Sequence, residues 1–118
     1  MRVILVEPNT PPRIVEIENT LKTLQNTVGG YIEVISMDHI DSNLILICNE
    51  EGKLIGLDGN RRVGRDIIVG VFYVMSEDRE GNRISLSEKK IQYYQKLFWE
   101  PQTFDREEIE DTLYMYFA

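Results

Sequence analysis

The chain is poor in the residues that most often announce chemistry. Its 118 residues hold one cysteine, Cys48, and one histidine, His39. A single cysteine excludes an internal disulfide and fits a reducing compartment, so a cytoplasmic setting is expected. With one histidine, any Ser–His or Cys–His catalytic pair must use His39. No stretch approaches the roughly 18 consecutive apolar residues that a transmembrane helix needs. Residues 1–8 are too short in their apolar part, and lack the cleavage site, to read as a signal peptide. Basic residues are scarce as well. Thirteen Lys and Arg stand against twenty Asp and Glu, a formal net charge of −7. That balance argues against a general nucleic-acid or membrane-surface binder, which needs a positive footprint. Also missing are the Gly-x-x-x-x-Gly-Lys-Ser/Thr phosphate loop, the Gly-x-Gly-x-x-Gly dinucleotide turn and the His-Glu-x-x-His zinc helix.

What is present is enough apolar mass for a core, 42% of the residues, in a chain of single-domain length. The charge is uneven. Residues 100–118 carry six acids against one base, Arg106, so the rest of the chain is nearly neutral. The one basic cluster is Arg61, Arg62 and Arg65, with Lys53 eight residues before it.

Patterning predicts the elements. Val3–Val6 is a short apolar run halted by Pro8 and by Pro11-Pro12, and reads as a buried strand. Arg13–Glu18 is rich in β-branched residues and reads as a second. Leu21, Leu24 and Val28 share one helical face, with Asn19 as the expected N-cap and Gly29-Gly30 as the stop. Tyr31–Ile35 and the continuously apolar Leu44–Cys48 read as strands, the second covered on both faces. Leu54–Leu57 is expected to be a return strand or irregular extension, and residues 58–65 a loop. Asp66–Met75 is expected to form one long strand, with Gly70 marking a bulge or a close approach. A short strand at Arg83–Leu86 precedes a helix capped by Ser87, with Ile91, Tyr94 and Phe98 inward and a break at Pro101. Asp105 and Glu108 then have capping-box spacing, opening a last helix with Ile109, Leu113, Tyr116 and Phe117 on its apolar face. The expected fold is α+β: a mostly antiparallel sheet of five to six strands, one short helix after the second strand, and two C-terminal helices. Residues 1–118 form one domain, with 104–118 as its acidic amphipathic helix.

Three places can carry function. In residues 56–65, glycines allow unusual backbone angles, and the guanidiniums of Arg61, Arg62 and Arg65 suit a phosphate or carboxylate. Asn60, Arg61, Arg62, Arg65 and Lys53 are therefore the candidate anion-binding residues. Their ordinary alternative is an exposed loop paired with Asp58, Asp66 or the acidic tail. The last helix offers Glu107, Glu108, Asp111 and Tyr114 as a surface for a protein partner. In the loop Ser36–Asn43, Asp38 and His39 could serve a nucleotide-acting hydrolase, with Asp41 nearby. That trio lacks zinc spacing, and Cys48 lies in an apolar strand, so no metal, no cofactor and no catalytic residue is assigned.

Val6-Glu7-Pro8, Leu21 to Gln25, Val28-Gly29-Gly30-Tyr31-Ile32-Glu33 and Cys48-Asn49-Glu50-Glu51-Gly52-Lys53-Leu54 stand in order along the chain. Gly56-Leu57, Asn60-Arg61-Arg62, Asp66-Ile67-Ile68-Val69-Gly70 and Ser85-Leu86-Ser87-Glu88 follow. In this order they resemble a family of small uncharacterised proteins of phages and mobile elements, mainly of Gram-positive bacteria. The similarity spans residues 3–98 and leaves out the final helix. It implies a mobile-element product, often encoded near anti-restriction genes, with no settled activity, so no catalytic residue carries over. The resulting expectation is a non-enzymatic accessory protein that binds a host protein or an anionic small molecule, with antagonism of host defence as its expected role. A sheet of this size also leaves edges that a second copy could cover, so a homodimer is one expectation.

Overall fold

Leu44–Asn49 is buried at every position, and that run organises the fold. A computed structural model describes residues 1–117, and their side chains as far as Leu113. The strands are β1 (Arg2–Val6), β2 (Arg13–Glu16), β3 (Ile32–Ser36), β4 (Leu44–Asn49), β5 (Gly59–Val63), β6 (Asp66–Val69), β7 (Phe72–Glu77) and β8 (Arg83–Ile84). The helices are α1 (Leu21–Val28), α2 (Glu88–Leu97) and α3 (Arg106–Phe117). The main sheet is antiparallel in the order β2-β1-β7-β4-β3, with β8 on β7, and β5 and β6 form a separate two-stranded sheet. The α+β class and the placement of the three helices agree with the patterning.

Because β4 is covered on both sides, its alternate residues serve two cores. Leu44, Leu46 and Cys48 join Ile4, Val6, Phe72 and Val74 beneath α2, whose Ile91, Tyr94 and Phe98 pack on them. Ile45 and Ile47 join Val3, Leu5, Tyr73 and Met75 beneath Leu24 of α1. Each such side chain, fully buried, contributes about 1.5–3 kcal/mol. A third, smaller cluster puts Ile109 of α3 on Ile67 and Val69 of β6, with Leu57 and Phe104 beside them.

Local chemistry sets the helix ends. Thr20, not Asn19, caps α1: its hydroxyl accepts from the Thr23 N–H at 3.2 Å. Asn19 instead donates to the Arg83 carbonyl and accepts from Arg83 Nε. Gly29 ends α1 in the left-handed conformation, φ +82°. Ser87 caps α2. At α3 the capping box is complete, Glu108 N–H donating to Asp105 Oδ1 and Asp105 N–H to Glu108 Oε1.

Two expectations need correction. The segment 66–75 is two strands in two sheets. It breaks at Gly70, whose φ is +70° and where a Cβ would stand 2.7 Å from Leu57 Cδ1. An apolar run cannot show this, because both halves are buried. Conversely, Asn60-Arg61-Arg62-Val63 is a strand rather than a loop; residues 50–56 are successive turns, so of the two alternatives for Leu54–Leu57 the irregular extension agrees with the structure. Asn60, Arg61 and Arg62 of β5 each have a partner outside their own sheet.

Candidate functional site

The arginine-rich segment is the first place to test. Asn60 and Arg61 have no solvent-accessible surface. The Asn60 side-chain amide donates to the carbonyls of Val6 and Gly70, joining the end of β1 to the β6–β7 break. Arg61 donates through Nε to Phe98 O, through Nη1 to the carbonyl and Oδ1 of Asn60, and through Nη2 to Thr10 O. One guanidinium thus ties together the loop after β1, the strand β5 and the C-terminus of α2. Burial lowers its pKa, and all its partners are neutral oxygens. The expectation that Asn60 and Arg61 face an anion is corrected: their donors are engaged inside the fold and no surface is left for a ligand.

The neighbouring arginines are exposed. Arg62 lies 3.5 Å from Glu108 and over the Phe104 ring, and its N–H donates to Gln102 Oε1. It therefore clips β5 to the segment entering α3. Arg65 is exposed in the β5–β6 turn. Of the acidic-helix candidates, Glu107 and Asp111 are exposed, while Glu108 is engaged by the capping box and by Arg62. Tyr114 lies outside the residues whose side chains are described, as do Tyr116 and Phe117.

Lys53 belongs to a different place. A cleft of about 470 Å³ opens between the β3–β4 edge of the main sheet, the turns 50–54, β6 and α3, within the usual size of ligand sites. Its walls are apolar at Ile35, Ile68 and Leu113 and charged at Glu33, Glu50, Glu51, Lys53 and Asp66. Lys53 Nζ donates to Asp66 Oδ1 in an ion pair, and Asp66 Oδ1 also accepts from the Ile67 N–H. Glu33 pairs in register with Cys48 across β3 and β4. Burial, then the neighbouring Asp66 carboxylate, push the Glu33 pKa upward, and Lys53 pulls against them. Among the described residues no hydrogen bond or ion pair engages the Glu33 carboxylate. Among the described lining residues four acids stand against one lysine, so the formal charge of the wall is net negative.

Cys48 is in the same wall and buried. Burial, with Glu33 and Asp66 beyond it, pushes its thiol up to about 12, so it is a neutral packing group at pH 7. His39 is exposed in the loop at the other end of the β3–β4 hairpin. The four steps from Cys48 to Leu44 already span about 13 Å of strand, so the two do not meet. Nearby, Asp38 Oδ1 accepts from the Asn43 N–H, and Asp41 is held by Tyr94 and Lys90 of α2. The loop's carboxylates therefore shape the turn. Among the described residues no three of His, Cys, Asp and Glu converge on a point where a metal ion could sit, and no helix is long and apolar enough to cross a membrane.

Reading residue types along the chain missed this cleft. Glu33 looks like one polar position in an alternating strand, and Asp66 like the start of the next. Only the burial of their carboxylates near each other marks them.

The fold and cleft define a two-sheet α+β domain with an acid-lined groove at one sheet edge. Over residues 1–99 the chain matches a family described as a domain of unknown function, DUF3846, and it belongs to that family. The matched region holds the main sheet, the β5–β6 hairpin, α1 and α2, while α3 follows it. No curated protein and no solved structure matches the chain.

Proposed function

We propose that the protein is a non-enzymatic binding module whose cleft receives a cationic group carried on an apolar body. The carrying observation is the composition of the wall: Glu33, Glu50, Glu51 and Asp66 against one Lys53, set on Ile35, Ile68 and Leu113. Such a surface repels phosphates and attracts ammonium or guanidinium groups. It reverses the sign of ligand first suggested by the arginine cluster. The resemblance to mobile-element proteins makes the natural partner a host protein, and antagonism of host defence is the corresponding cellular role.

Thermal shift is the direct test. Arginine amide and lysine amide should raise the melting temperature, and Glu33→Gln should reduce the response. A ligand at 100 times its Kd stabilises by about 2.7 kcal/mol. Stabilisation by a nucleotide panel, lost in Arg62→Ala/Arg65→Ala, with no response to either amide, would replace this reading with an anion site. For the cellular role, expression in a restriction-proficient host should raise the plating efficiency of a restriction-sensitive phage, and an unchanged efficiency counts against it.

A further inference from the structure

The cleft is bounded on one side by a sheet edge. Among the described residues β3 is the terminal strand of its sheet and pairs with β4 only. The Glu50 N–H donates to the Tyr31 carbonyl and the Met37 N–H to the Leu44 carbonyl. In an antiparallel pair the bonded positions alternate. Residues 31, 33, 35 and 37 therefore bond inward, and the N–H and C=O groups of Ile32, Val34 and Ser36 point away from β4. Glu33 and Ile35 line the cleft, as does Ile32, which also packs on the α1-side core, while Val34 is 49% exposed. Open backbone groups and a side-chain groove thus occur on the same strand. Exposed Tyr31 and Leu54 stand at its start and on the adjoining turns.

We infer that the occupant of this site is an extended peptide segment of a partner protein, added as a further strand to β3. It would carry a lysine or arginine opposite Glu33 and an apolar residue two positions away, opposite Ile35. This rests on the cationic-cleft reading above and deepens it. Backbone bonding to Ile32, Val34 and Ser36 supplies affinity, and alternate side chains entering the groove supply selection. Glu33 gives the edge its choice of partner. An inward-facing charge on an edge strand opposes pairing with apolar or acidic segments, and a basic residue answers it. The same charge disfavours a second copy of this chain. Two β3 strands related by a two-fold axis at Val34 would place Glu33 against the partner copy's isoleucine and bring two acidic clefts together.

The test uses the full chain and a capped peptide, acetyl-Thr-Val-Thr-Lys-Thr-amide. Three control peptides carry Glu for Lys, carry backbone N-methyl groups, or are scrambled. Amide exchange and NMR shifts should report protection at Ile32, Val34 and Ser36 with the parent peptide. N-methylation and Lys-to-Glu replacement should each weaken binding at least tenfold. Val34→Pro, at an edge position where a strand tolerates proline, should do the same without changing the circular dichroism. Glu33→Gln should collapse the discrimination between the Lys and Glu peptides. Equal affinity for the methylated and parent peptides would overturn strand addition yet leave the cationic cleft standing, since the amide response does not depend on the edge. Equal affinity for the Lys and Glu peptides would overturn the charge match. Absence of edge protection at millimolar parent peptide would overturn the proposal. So would a dimer of the chain alone that Val34→Pro dissociates, because the edge would then belong to a second copy.

Discussion

The Asn60–Arg61 pair and the Glu33–Lys53–Asp66 group are both polar clusters set against the same hydrophobic layer, and they are built in opposite ways. The first holds a guanidinium with no exposed surface among carbonyl oxygens, each of its three nitrogens donating to a named acceptor. The second lines an open cleft and keeps one carboxylate outside its ion pair, at a cost in desolvation. A satisfied buried cation fixes the relation of neighbouring segments. An incompletely satisfied acid at an opening is what a ligand can complete. Arginine density along a chain therefore does not locate a site; the state of each polar group does.

The contrast predicts a large effect at the first cluster. Arg61→Ala leaves the carbonyls of Thr10, Asn60 and Phe98 without their donor and opens a cavity, so urea unfolding should show a loss of about 3–5 kcal/mol. A loss below about 1 kcal/mol would mean that the guanidinium does not bind these segments together. Arg62→Ala should cost only about 0–1 kcal/mol, because its ion pair with Glu108 is solvent-exposed. A penalty as large as that of Arg61 would erase the distinction between the two adjacent arginines.

The smallest effect should have the opposite sign. Glu33 has a raised pKa in the folded state, so the native protein binds its proton more tightly than the unfolded chain does. Stability then falls as pH rises from the ordinary carboxylate value through the folded one. Glu33→Gln removes that loss. It should raise the melting temperature slightly at pH 7, and the advantage over wild type should vanish as pH drops below about 4. A variant less stable than wild type at pH 7 would make Glu33 a structural residue and remove the argument that it is retained for binding.

Much of the framework was legible in residue patterns. β4 appears as an uninterrupted apolar run because both faces are buried, and α2 appears in the spacing of Ile91, Tyr94 and Phe98. The capping box of α3 can be read from Asp105 and Glu108 alone, since its bonds lie within four residues. The misreadings share one cause. β5 is polar and looks like a loop because Asn60 and Arg61 bond to Val6, Gly70, Thr10 and Phe98, as far as 54 positions away. The division of residues 66–75 depends on Leu57 meeting Gly70, again a contact that local periodicity does not contain.

Periodicity, capping spacing and the few strong breakers were thus enough to determine the α+β class, the helices and the apolar strands β1 and β4, because those features arise from interactions between near neighbours. Which charges are engaged and which remain available was decided only by the tertiary structure. Burial and hydrogen-bond pairing are properties of distant segments brought together, and they turned Arg61 into a fold-holding clamp while leaving Glu33 on the wall of the cleft.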